Sequence, residues 1–217
     1  MSEQTCDCCG TVEDRPADVA GEVEPSTDRW LGDAAAMETP LPDDVRTAME
    51  GFFGDASIET LEDWVAELRE RTGGGSIDAE DLCHADGETA HWGELDGTRH
   101  HFRCFYDAVV LAELASEPIE IHTESPSGDV IEARATGDGE LTATPSTAAV
   151  SFGVVTDDAA LPAAEATLED AYGAICPAVR AFPTRDAHEG WAAEANAATV
   201  GMPLSIATGV AIGLVGE

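Results

Sequence analysis

His100-His101-Phe102-Arg103-Cys104-Phe105-Tyr106-Asp107-Ala108-Val109-Val110-Leu111 is the stretch on which the reading of this chain turns. A cysteine and an aspartate stand three residues apart, with two aromatics between them and an apolar run behind. On a helix, positions i and i+3 share a face, so the thiol and the carboxylate would look into one space. A carboxylate beside a thiol can take its proton, then return that proton to something bound at the sulfur.

Upstream, 92–102 reads as strand, tight turn at Asp96-Gly97, and strand, delivering the chain into Cys104. His100 and His101, adjacent on a strand, point to opposite faces and are poorly placed to share an ion, so a structural or surface role is favoured. Downstream, residues 119–124 and 130–135 alternate apolar and polar around Ser125-Pro126-Ser127-Gly128, an antiparallel hairpin. Residues 141–144 and 149–155 read as further strands of the same small sheet. Residues 163–172 form a helix or turn leading to Cys176, and 202–215, broken by Pro203, Gly209 and Gly213, reads as a core segment.

Toward the N-terminus the pattern is helical. Leu41, Val45, Met49 and Phe52 recur at helical spacing behind Asp43 and Asp44. Ile58, Leu61, Trp64, Val65 and Leu68 form a second amphipathic helix with Ser57 as N-cap, stopped by Gly73-Gly74-Gly75. Residues 76–82 read as a third, short helix. Three helices and a hairpin resemble a winged-helix module. Its face is crowded with Glu59, Glu62, Asp63, Glu67 and Glu70, which would repel a phosphate backbone, so a structural role is expected. The fold class is therefore α+β: an acidic, disordered tail over 1–30, a winged-helix-like helical domain over 31–95, and a domain of antiparallel sheets flanked by helices over 96–217.

The 217 residues carry 44 Asp and Glu against 10 basic residues, all arginine, for a net charge of −34. Acidity spread along the whole chain is expected of a surface adapted to high salt, where screening removes self-repulsion, and so of a salt-loving, haloarchaeal-type source. It disfavours nucleic acid or anionic lipid as a partner. No run of about 18 apolar residues exists, so no membrane span is expected. With no basic-then-apolar leader, the expected compartment is the cytoplasm, where thiols stay reduced and point to metal or catalysis. The six cysteines are Cys6, Cys8, Cys9, Cys83, Cys104 and Cys176. Cys6, Cys8 and Cys9 place three soft ligands within four residues, an accessory site for a thiophilic ion or a tail of no consequence. Cys83-His84 reads as buried packing before ligation.

With Cys176-Pro177-Ala178-Val179-Arg180-Ala181-Phe182 and Trp191 downstream, Cys104–Leu111 resembles the organomercurial (alkylmercury) lyases. The likeness follows the order of elements over about 40–210 and is specific around Cys104–Leu111 and Cys176–Trp191. Trp191 falls where that family has a tryptophan, and Pro177, Ala178 and Arg180 stand where it often has further ligands. The resemblance implies cleavage of the carbon–mercury bond by Cys104, Asp107 and Cys176, with Cys104 and Cys176 as mercury ligands and Asp107 as proton carrier and a further member of the metal site. It places the second cysteine on a strand. No cofactor is expected; Hg(II) is the product, released to free thiols or to a mercuric reductase. The readings set against it are a thiol-based metal carrier or sensor of the same fold, a winged-helix regulator, and a cysteine protease, the last lacking a histidine on the face of Cys104.

Overall fold

The computed structural model describes residues 29–32, 35–54, 56–71, 77–156 and 168–216. Helix α1 (Asp43–Phe53) opens behind Pro42 with Asp43 and Asp44 in its first turn, where carboxylates meet the positive end of the helix dipole. Val45, Met49, Phe52 and Phe53 form its buried stripe, and Gly54, at φ 79°, ends it. Helix α2 (Leu61–Arg71) begins later than its apolar spacing suggests. Its start is fixed by Thr60 and Asp63, whose side chains each accept the other's backbone N–H, at 3.2 and 3.0 Å. Ser57 is therefore not the cap, although Ile58 is fully buried.

The third expected helix is one 3₁₀ turn, Ala79–Asp81. Strands β1 (Trp92–Leu95) and β2 (Thr98–His101) follow. Asp96 and Gly97, at φ 49° and 74°, make the tight turn between them. This hairpin is the edge of a larger sheet. β1 pairs with β3 (Ile119–Glu124), and the order β2-β1-β3-β4-β5 gives one five-stranded antiparallel sheet with β4 (Val130–Ala135) and β5 (Leu141–Thr144). In β3 and β4 alternate residues are buried, the pattern of a sheet with one wet face.

β6 (Ala149–Val155) leaves that sheet. It pairs antiparallel with β7 (Ala181–Phe182) and β8 (Ala197–Pro203) in a second sheet, order β7-β6-β8. Six of its seven residues are buried, so it is covered on both faces and cannot continue a half-exposed sheet. Gly153 is required there, since a Cβ would lie 2.0 Å from the Ala198 carbonyl oxygen.

Helix α3 (Tyr106–Ala115) runs between the layers, packed on α6 (Thr208–Val215) and β3. Gly93 lets it come close: a Cβ at that position would stand 2.9 Å from the Ala108 Cβ. The Tyr106 hydroxyl ties α3 to α6, donating to the Ala207 carbonyl and accepting from the Ala211 N–H at 2.9 Å. The buried apolar residues of both sheets and of α1, α2, α3 and α6 form one contiguous core. No described helix is long and apolar enough to cross a membrane.

Candidate active site

Cys104 sits in the turn between β2 and α3, and Asp107 in the first turn of α3. The turn is closed by the Asp107 N–H donating to the Cys104 carbonyl at 3.3 Å. Three-residue spacing across a helix start therefore puts thiol and carboxylate on one side, as on a helix face.

Cys176 comes from elsewhere in the chain. It follows helix α4 (Leu168–Ile175) in the turn 176–178, so it is at a helix end and not on a strand. Ser151, fully buried on β6, braces the segment after it: its hydroxyl donates to the Ala178 carbonyl at 2.7 Å and accepts from the Arg180 N–H at 3.1 Å. Cys104 is tied to the same segment, its thiol donating to the Val179 carbonyl at 3.7 Å. One ligand atom from each of Cys104, Asp107 and Cys176 lies within 4.8 Å of the others, the one such grouping among the described residues.

These groups lie at a cavity of about 90 Å³ whose other walls are apolar, Trp64, Leu68, Tyr106, Val110 and Phe152 among them. Low polarity acts on the ionisable groups. Burial raises the Asp107 carboxyl to about 6. The Cys83 backbone N–H, His84 and its own N–H pull the other way without cancelling that effect. Cys176 is raised by hydrogen bonding to the Cys104 and Cys83 thiols and by burial, so its proton is held on. Cys83 is lowered by its hydrogen bond to Cys176, against the effect of burial.

Cys83 is the member that the sequence did not reveal. It is 4% exposed and its N–H donates to Asp107 Oδ1 at 2.9 Å, so this buried residue directly contacts one of the three groups. The signal available was a further thiol beside a histidine, 21 residues before Cys104. Ser151 had none.

The other expectations sort out simply. His101 accepts from the Thr89 N–H at 3.1 Å and pairs across the hairpin with Trp92; His100 lies opposite Gly93. Neither joins the thiol group. Cys6, Cys8 and Cys9 lie outside the described residues, as do Gly73-Gly74-Gly75 and residues 163–167.

Trp191, on α5 (Arg185–Ala192), belongs to a separate aromatic cluster around His188. The His188 ring is 2% exposed, neither nitrogen has a partner among the described residues, and Trp30, Phe182 and Trp191 surround it. Gly201 gives it room, since a Cβ there would stand 2.4 Å from the ring. Burial pushes the imidazole down to about 4. The unfolded chain then takes up this proton near the ordinary 6.5 and the folded chain does so only near 4. Stability is lost as pH falls through that window, by about 3 kcal/mol from this group. In chemical denaturation across pH 6.5 to 4, His188→Leu should therefore lose about 3 kcal/mol less than the parent protein. Equal losses would show that the ring is solvated.

No curated protein matches the sequence. Among solved structures, the mercury-bound form of MerB2 is similar at a TM-score of 0.44 and 17% identity, covering 80% of this chain and 91% of that one. The family model for alkylmercury lyase matches residues 85–215, more than half of the sequence and both Cys104 and Cys176. The chain belongs to the alkylmercury lyase family.

Proposed function

We propose that this chain cleaves the carbon–mercury bond of R–Hg⁺ by protonolysis, with Cys104 and Cys176 as thiolate ligands and Asp107 as proton carrier. The convergence of two thiols and one carboxylate within 4.8 Å, beside an apolar cavity, carries the reading. Mercury is soft and prefers thiolate to oxygen. One thiol binds R–Hg⁺, giving up its proton to the departing ligand or to solvent. The second gives its proton to Asp107 and bonds to the metal. Two thiolates push electron density onto mercury and weaken the bond to carbon. Asp107 then delivers its proton to that carbon; the C–Hg bond breaks, a C–H bond forms, and R–H departs. Hg(II) stays on the two sulfurs and Asp107 is again a carboxylate. The apolar walls suit an alkyl or aryl R group and supply the burial that brings the carboxyl near neutrality, where one group can both accept and donate.

The physiological setting extends the proposal: mercury detoxification in a salt-rich cytoplasm, with Cys6, Cys8 and Cys9 as a tether. A mercuric reductase or a cellular thiol would be the acceptor of Hg(II). The test is methane release from methylmercury, or benzene from phenylmercury, in molar KCl with excess thiol. Stoichiometric hydrocarbon is expected. Stoichiometric mercury binding without hydrocarbon would replace the enzyme by a metal carrier.

A further inference from the structure

We infer that Cys83 is a third mercury ligand, which closes on the Hg(II) left by bond cleavage and retains it until an acceptor thiol arrives. For the origin of the ion this rests on the reaction proposed above.

Cys83 is held against the site at two points. Its N–H donates to Asp107 Oδ1 at 2.9 Å and its carbonyl accepts from the Arg103 N–H at 3.0 Å, while the Cys176 thiol pulls the Cys83 thiol's pKa down. The Ala85 N–H, donating to the His101 carbonyl at 2.9 Å, continues the lacing. The segment is thus fastened to the residues leading into Cys104. A 4% exposed thiol whose own backbone N–H is bonded to the site's carboxylate is not surface chemistry.

Its placement suits the product better than the substrate. Cys83 does not line the cavity, though its neighbour Leu82 does, and it stands outside the 4.8 Å group. It therefore adjoins the reacting pair without crowding the R group. When R–H has left, mercury has lost its carbon ligand and can accept a further soft donor. An S–Hg bond then forms as the Cys83 S–H breaks, and the proton goes to Asp107, which has become a carboxylate by protonating carbon. No oxidation state changes. Three sulfurs hold the ion through the interval before exchange with an incoming thiol.

The test uses the full chain with Cys6, Cys8 and Cys9 replaced by serine. It is loaded with one equivalent of Hg(II), exchanged free of small thiols, and examined by mercury X-ray absorption. Three sulfur neighbours are expected when Cys83 is present and two in Cys83→Ser or Cys83→Ala. Release of the ion to added glutathione should be about 10- to 100-fold faster in those variants. Two sulfurs with Cys83 present would overturn the inference even if neither variant folds. Three sulfurs in a folded variant would overturn it as well. Because Hg(II) is added directly, the sulfur count is independent of catalysis: absent hydrocarbon would sink the lyase mechanism and leave this result standing.

Discussion

Asp107→Asn should bind methylmercury with unchanged stoichiometry and release methane about 10²- to 10⁴-fold more slowly, the range expected when a positioned proton carrier is lost. Asparagine has nearly the same shape, and its Oδ1 can still accept the Cys83 N–H that Asp107 accepts at 2.9 Å. What it cannot do is take a thiol proton and return it. In the parent protein, burial raises the carboxyl from 3.8 to about 6, and the ionised form is needed to receive the thiol proton. Single-turnover release should therefore rise with pH through about 6 and then level, as far as this group controls it. The same burial has a cost in stability. The folded chain binds this proton up to about pH 6 and the unfolded chain only to about 4, so stability falls as pH rises through that interval. Above it the buried carboxylate costs about 3 kcal/mol, which Asp107→Asn relieves. The variant should then be slower but harder to denature at pH 7 to 8, and no more stable than the parent below pH 4. Methane release above a tenth of the parent rate would assign the proton to another group. A variant less stable than the parent at pH 7 would mean that the carboxylate is better solvated than its 9% exposure indicates.

How much of this was legible in the sequence depends on how local each feature is. The β3 and β4 pattern stands in the order of residues 119–135, because each strand buries one face and the turn at Gly128 needs a positive φ. Cys104 and Asp107 pair across three residues, so one helix start brings them together whatever the rest of the fold does. β6 misled because Ala-Val-Ser-Phe-Gly-Val-Val is apolar nearly throughout: such a run signals burial on two faces but does not name the sheet that supplies them. Ser57 was a sensible cap, yet the Thr60–Asp63 pair satisfies two backbone N–H groups at once and starts the helix later. Cys83 was the hardest. It lies 24 positions from Asp107, and its meeting with Asp107 and Cys176 is made by backbone lacing and a loop, neither of which leaves a period in the sequence.

Cys176→Ser should separate capture of the organomercurial from its cleavage. With Cys104 intact, one thiolate remains to take R–Hg⁺ into the two-coordinate state, and one equivalent of methylmercury should still bind. The serine hydroxyl fills most of the space of the thiol and can donate the same hydrogen bonds. As a hard, protonated oxygen it adds little electron density to mercury. The bond to carbon is then not weakened, and Asp107 lacks the second thiol proton that it is to pass on. Hydrocarbon release should fall about 10³-fold or more, equivalent to the loss of about 4 kcal/mol of transition-state stabilisation. Cys83 sharpens the outcome, because it is the one other described free thiol and its N–H is bonded to Asp107. If it lay close enough to serve as the second ligand during cleavage, Cys176→Ser would keep much of its rate and lose it on further replacement of Cys83 by serine. Its position off the cavity lining argues that it does not. A single variant retaining more than a hundredth of the parent rate would therefore overturn the pairing of Cys104 with Cys176. A variant that binds methylmercury but frees almost no methane would establish that capture needs one sulfur and cleavage needs two.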